Sequence, residues 1–272
     1  MTSRPGSYST DRPGENREAH RQVTWRSALL FSLGLGVIVA VAMADPVPQD
    51  LLYHVFADQR TMAGVPNFYN VISNLPFLLV GIVGLRSIAA HSEMVTPATR
   101  LAWMIFFFGI ALTAFGSGYF HLQPNNDTLV WDRLPMTISF MSLVSIIVSE
   151  YFSPRLGRQM LIPLLLIGAA SVAYWAYTES QGAGDLRPYA VVQFLPMLLI
   201  PLIIILYGTR SDLGKYLWWV IGFYVAAKVA EQLDDNLFAV GGALSGHSVK
   251  HLLASLAPAS LLYGLMQRRG RC

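Results

Sequence analysis

Cysteine is almost missing from this sequence: among 272 residues there is one, Cys272. A single thiol excludes an intramolecular disulfide framework, a cysteine-ligated metal site and a buried cysteine nucleophile, and it leaves the redox compartment unreadable. Charge is scarce as well. Asp, Glu, Lys and Arg make up 13% of the chain, against roughly 25% in an ordinary soluble domain, so a soluble fold is not expected. No basic patch interleaved with aromatics occurs, and a net charge of +3 requires no nucleic-acid partner. A convincing internal repeat is lacking, and so is room for a soluble insertion: the longest connection between apolar runs, Asp45 to Asn67, spans 23 residues.

What the sequence has in quantity is apolar length. Hydrophobic residues account for 54% and the mean hydropathy is +0.46. A helix needs roughly 20 mostly apolar residues to cross a hydrocarbon core of about 30 Å, and eight runs approach that length: Ser27–Ala44, Phe68–Ala90, Arg100–Phe120, Asp132–Phe152, Gln159–Tyr177, Pro188–Tyr207, Tyr216–Gln232 and His247–Met266. The expected fold is therefore all-α, a polytopic membrane helical bundle. Residues 1–25, rich in Ser, Arg, Gly, Glu and Pro, are expected to form a disordered cytoplasmic tail. Residues 26–45 form a first transmembrane helix. Its end, Ala42-Met43-Ala44 before Asp45, resembles a signal-peptidase site, but the long polar head favours an uncleaved anchor.

Basic residues set the orientation. With the N-terminus inside, the cytoplasmic segments hold fourteen of the nineteen: Arg4, Arg12, Arg17, Arg21, Arg26, Arg86, Arg100, Arg155, Arg158, Arg210, Lys215, Arg268, Arg269 and Arg271. The opposite side holds Arg60, Arg133 and Arg187, while Lys228 and Lys250 fall within helices. Both termini are then cytoplasmic, with the membrane expected to be a bacterial inner membrane.

Imidazole and charged side chains are costly within a bilayer, so those near one helix end are functional candidates. The third run ends in Gly116-Ser117-Gly118-Tyr119-Phe120-His121, which puts Ser117 and His121 on one helical face. His247 and His251 share a face in the same way at the start of the last run, and Asp132 opens the fourth. All five lie at the outer, periplasmic side. Three neutral histidines leave a fourth zinc position for water, the pattern of a catalytic site; Asp132 then serves as general base and Ser117 as donor to an oxyanion. Each residue alone has a plainer reading: Asp132 as an N-cap, Ser117 as a close-packing spot between glycines, His121 as an interfacial side chain. Their joint occurrence at one depth favours the site. Lys228 and Glu231 are spaced for an i,i+3 ion pair, with Asp234 and Asp235 in the following loop. Lys250 is expected to snorkel outward, and Trp175, Trp218 and Trp219 to face the interface or lipid.

The stretches Asn67 to Asn74, Gly116 to His121, Asp132 to Met136 and His247 to His251 resemble those of the alkaline ceramidase family, part of a superfamily of seven-helix membrane hydrolases, over about residues 58–267. The resemblance implies a seven-helix ceramidase-like core, in a bacterial-type member, with residues 26–45 as an extra N-terminal transmembrane helix. It implies Zn2+ held by His121, His247 and His251, Asp132 and Ser117 as catalytic residues, and cleavage of the amide of ceramide or a related N-acyl lipid to a long-chain amine and a fatty acid. The partners implied are a lipid substrate and the bilayer, with no obligate protein partner. Two departures stand out: the family's acidic segment is reduced to Asp58 followed by Gln59 and Arg60, with Asn67 in place of a Glu, which weighs against calcium, and Lys250 stands where eukaryotic members often carry Trp. The competing readings are a non-catalytic receptor-like or transport protein with a structural metal, and bis-histidine haem binding, which Ser117 and Asp132 argue against.

Overall fold

The structure is a computed structural model that describes residues 13–208 and 211–269, with side chains from Trp25 onward. Residues 1–12 of the expected disordered tail lie outside the described residues. Helices run in the order α1 Pro13–Met43, α2 Phe68–Ile72, α3 Leu75–Ala90, α4 Arg100–Leu122, α5 Asn126–Tyr151, α6 Pro154–Ser180, α7 Arg187–Tyr207, α8 Gly214–Gln232, α9 Asp234–Gly241 and α10 Gly246–Arg269. Short 3₁₀ turns at Leu51–His54 and Ser92–Met94 punctuate the first connections, and the described residues contain no strand beyond an isolated Met62–Val65 bridge.

Seven of these elements are long and apolar enough to cross a membrane, α2 and α3 counting as one, broken at Ser73 and Asn74. The remaining long helix, α8, is 19 residues but carries Lys215, Lys228 and Glu231; it runs beside α10. The result is a seven-helix core with α1 added at its edge, where it packs chiefly on α7. Large apolar side chains such as Leu79, Phe115, Leu166 and Ile205 point outward, as a lipid-facing surface requires. The inward faces are finer-grained. On α5, the most enclosed span, Ser142 and Ser145 are fully buried, and the Ser145 hydroxyl donates to the Gly157 carbonyl of α6 (2.9 Å).

Two glycines set the helix spacing where it bears on function. A Cβ on Gly116 would lie 2.0 Å from the Trp131 carbonyl oxygen of α5, and one on Gly246 would lie 2.2 Å from the Ala230 carbonyl oxygen of α8. Close backbone approach of this kind is what small residues provide in membrane bundles, and here it fixes the neighbouring Ser117 and His247. Gly116→Ala is expected to cost about 1–3 kcal/mol, as overpacking does, and to lower the thermal midpoint in detergent. Gly118→Ala, whose Cβ meets nothing within 4 Å, is the silent control.

α5 starts earlier than its apolar run. Asn125 caps the helix by accepting from the Thr128 amide (2.9 Å) while the Thr128 hydroxyl accepts from the Asn125 amide (3.2 Å), so the helix begins at Asn126 and not at Asp132. Polar residues in the first two turns hide this start from a hydropathy reading. Asp132 consequently lies inside the helix, and its N-cap reading is excluded. At the other end of the bundle Arg268 pairs with Glu150 (2.8 Å) and Asp212 (2.5 Å), tying α10 to α5 and to the segment before α8.

Candidate metal centre

One end of the bundle gathers the last turn of α4, the first turns of α10, the second turn of α5 and the α2–α3 junction. There the His121, His247 and His251 rings are mutual neighbours, with centroids 4.8–4.9 Å apart. All three are buried, and each offers a ligand nitrogen within 4.8 Å of the others. Nε2 of His121 and Nε2 of His251 are 3.3 Å apart. Two nitrogens about 2.0–2.1 Å from one tetrahedral zinc ion would be separated by about 3.3–3.4 Å, so the spacing suits a shared cation. His121 Nδ1 is a buried polar atom without a hydrogen-bond partner among the described residues. The rings touch one another, and His121 and His251 leave no space for a planar macrocycle between them; the haem reading fails on this contact.

The histidines are oriented by the polypeptide. The Ser73 hydroxyl donates to the Asn70 carbonyl (3.1 Å) and therefore accepts from His251 Nδ1–H (2.8 Å), which leaves the Nε2 lone pair of His251 facing His121. Partners of this kind hold a ligating ring in one tautomer and are typically worth 10–100-fold in metal affinity. Ser73→Ala is accordingly expected to weaken metal binding by roughly 10–100-fold, measured by competition with a fluorescent chelator. His247 is placed by its amide, which donates to Asp234 Oδ1 (2.6 Å). The Phe56 ring packs on His121 (4.7 Å) and His247 (4.5 Å), closing that side to water. Asn70 is fully buried; its side chain accepts from Ser248 (2.7 Å) and donates to the Asp58 carbonyl (3.2 Å), joining α2, α10 and the preceding loop.

Beside the histidines opens a cavity of about 630 Å³, bordered by Ser117, Asp132 and His251 at its polar end. Its volume falls in the range of small-ligand sites. Ser117 and Asp132 are both buried, and both border the cavity. From there the cavity follows apolar side chains as far as Phe106 on α4, Leu143 on α5 and Leu261 on α10. The ten or eleven residues separating these from the polar end correspond to about 15 Å of helix, a depth that suits a hydrocarbon chain.

The acidic segment holds a different arrangement from a calcium site. Arg60 takes both carboxylate oxygens of Asp58, through Nε (2.8 Å) and Nη2 (2.7 Å), and reaches on to the Ala243 carbonyl (2.7 Å). A built-in guanidinium thus joins the loops, and its hydrogen bonds hold the Asp58 carboxyl below the usual carboxylate range. Asn67, at a positive φ of 48°, donates to the His121 carbonyl (2.8 Å).

Three expectations from sequence are corrected. Lys250 does not snorkel: its ammonium donates to Glu231 (2.8 Å) and lies 3.1 Å from His247 Nε2, so the carboxylate holds it inside. Trp175 is fully buried and does not face lipid; its Nε1–H donates to Glu179 (3.1 Å), whereas Trp218 and Trp219 are exposed as expected. Asp234 and Asp235 begin α9 and do not lie in a free loop. The Lys228–Glu231 ion pair forms as its spacing indicates. Sequence reasoning gave no role in the site to Ser73 or Arg133; both lie within stretches that carried the resemblance, Asn67 to Asn74 and Asp132 to Met136.

Fold and site together define an integral-membrane helical bundle with a buried three-histidine, metal-type centre at one end, open to a lipid-sized cavity. Residues 60–266 match the family model described as Ceramidase, and the chain belongs to that family. No curated protein matches it. Membership implies a hydrolase acting on amide bonds.

Proposed function

We propose that this protein is a zinc-dependent membrane hydrolase that cleaves the amide of ceramide or a related N-acyl lipid, releasing a long-chain amine and a fatty acid. The observation that carries the reading is the cluster of three histidines, one of which, His251, lines a cavity together with Ser117 and Asp132 that continues along apolar side chains of α4, α5 and α10. A purely structural metal needs neither a carboxylate nor a hydroxyl beside it, and the placing of Asp132 and Ser117 with His251 at the cavity favours the hydrolase over a receptor-like or transport protein.

His121, His247 and His251 are the residues that would hold the ion. When bound, zinc supplies a Lewis acid and lowers the pKa of water toward about 7. The chain's own groups do the rest. The acyl chain lies along α4, α5 and α10, which brings the amide to Ser117 and Asp132. As the water oxygen bonds to the carbonyl carbon, one of its protons passes to the Asp132 carboxylate; as the C–N bond breaks, Asp132 returns that proton to the nitrogen, and the amine leaves. The Ser117 hydroxyl donates to the carbonyl oxygen as charge develops there.

The excess of basic residues on one side supports an inner-membrane protein with cytoplasmic termini and the metal centre near the outer face. The deciding experiment is metal analysis of the purified protein beside hydrolysis assays with ceramide and other N-acyl lipids. One zinc per chain with release of fatty acid is expected; zinc-replete, folded protein inert toward the whole panel overturns the proposal.

A further inference from the structure

Resting on the hydrolase reading, we infer that the amine half of the substrate carries an oxyanion, carboxylate or phosphate, and that Arg133 binds it.

Arg133 follows Asp132 on α5 and lines the same cavity. It is 7% exposed, and its guanidinium is walled by the rings of Trp175 (4.2 Å), Tyr189 (4.8 Å) and Tyr53 (6.0 Å). Nη2 donates to the neutral Gln49 Oε1 (2.5 Å). Nη1 is buried with no partner. Aromatic faces hold a guanidinium in place without neutralising it, and a buried charge lacking a counterion is strongly unfavourable.

The neighbouring carboxylates are committed elsewhere. Glu231 is shared by Lys228 and Lys250. Glu179 accepts from the Trp175 indole and the Gln49 amide. Asp132 acts on Arg133 only at a distance, and Asp50, which also lines the cavity, accepts from the Leu52 amide. Among the described residues none forms an ion pair with Arg133, and its Nη1 is left for an acceptor that the chain does not supply.

Its position says which half of a substrate it meets. The far end of the cavity, toward Phe106, Leu143 and Leu261, is apolar and takes the acyl chain. Arg133 is beside the reacting end, where the amine half must lie. A planar guanidinium with a free Nη1 matches carboxylate or phosphate oxygens through charge-assisted hydrogen bonds. Neutral hydroxyls, as on ceramide, make hydrogen bonds to it that are about half as strong.

Two matched pairs test this in zinc-loaded, full-length protein in nanodiscs: ceramide 1-phosphate against ceramide, and N-oleoylglycine against N-oleoylethanolamine. In at least one pair kcat/KM is expected to favour the anionic member by about tenfold or more, the scale of a charge-assisted hydrogen bond; the pair that responds identifies phosphate or carboxylate. Arg133→Gln should shrink that ratio about tenfold, chiefly through KM, with Arg133→Lys intermediate. Using the ratio removes any common effect of the substitution on folding. If Arg133→Gln yields no folded protein, the wild-type ratios alone decide. Preference for the neutral member in both pairs, or a ratio untouched by Arg133→Gln, overturns the inference. Direct binding to Asp132→Asn protein separates it from the hydrolase reading: tighter binding of the anionic lipids without any wild-type turnover keeps the oxyanion site at Arg133 and removes the hydrolase, whereas turnover with equal binding keeps the hydrolase and overturns the inference.

Discussion

Asp132→Asn protein is expected to keep its full complement of zinc and to lose roughly 10²–10⁴ in kcat, the usual worth of a positioned acid–base group. Asp132 is buried inside α5, beside Ser117 and at the cavity wall, and it is absent from the group of three ligand side chains. The amide side chain is nearly isosteric with the carboxylate, so packing and metal content should stay; what disappears is a base able to take a proton from water and return it to nitrogen. Metal content by mass spectrometry, set against single-turnover release of fatty acid, reads the two effects separately. Loss of zinc together with activity would make Asp132 a ligand, and full activity with zinc retained would remove it from the chemistry altogether.

His121→Ala should remove both metal and hydrolysis. It deletes one of the three nitrogens proposed to hold the ion, whose contribution to catalysis through a cation amounts to several kcal/mol, so hydrolysis should fall by roughly 10³-fold or more at fixed substrate. His121 leaves α4 in its last turn, is 1% exposed and touches both other imidazoles and Phe56. Truncation also creates a cavity in packed surroundings, and a folding control is needed. The monomer fraction by size exclusion and the thermal midpoint of wild-type apoprotein provide it: folded His121→Ala protein that matches the metal-free wild type, and that added zinc does not stabilise, meets the expectation. Zinc binding at wild-type affinity would show that the three histidines do not form a site.

Much of the site was legible because helical periodicity is strict. Ser117 and His121, and likewise His247 and His251, had to share faces once their segments were helices, and hydropathy put those helix ends at one depth. The supporting residues were not legible in this way. Nothing in the sequence distinguishes Ser73 from other serines; its role comes from the break between α2 and α3, which lets its hydroxyl meet a ring 178 residues away. Lys250 was misread because its partner, Glu231, comes from another helix, and Trp175 because a tryptophan near the end of a span ordinarily sits at the interface. In both cases a contact from a distant segment overrode a local preference.

By itself, then, the amino-acid order determined that the chain would lie in a membrane as helices, where they would run, and that three imidazoles, a carboxylate and a hydroxyl would gather near one end, since length, hydropathy and the 3.6-residue period are local properties. Tertiary structure alone decided that the imidazoles come within reach of a single cation, that Ser73 meets His251 Nδ1, that Arg60 clasps Asp58, and that Arg133 is enclosed by aromatic rings without an ion pair. Those outcomes depend on how closely the helices approach, set at contacts such as Gly116 against the Trp131 carbonyl, and such distances exist only once the segments have packed.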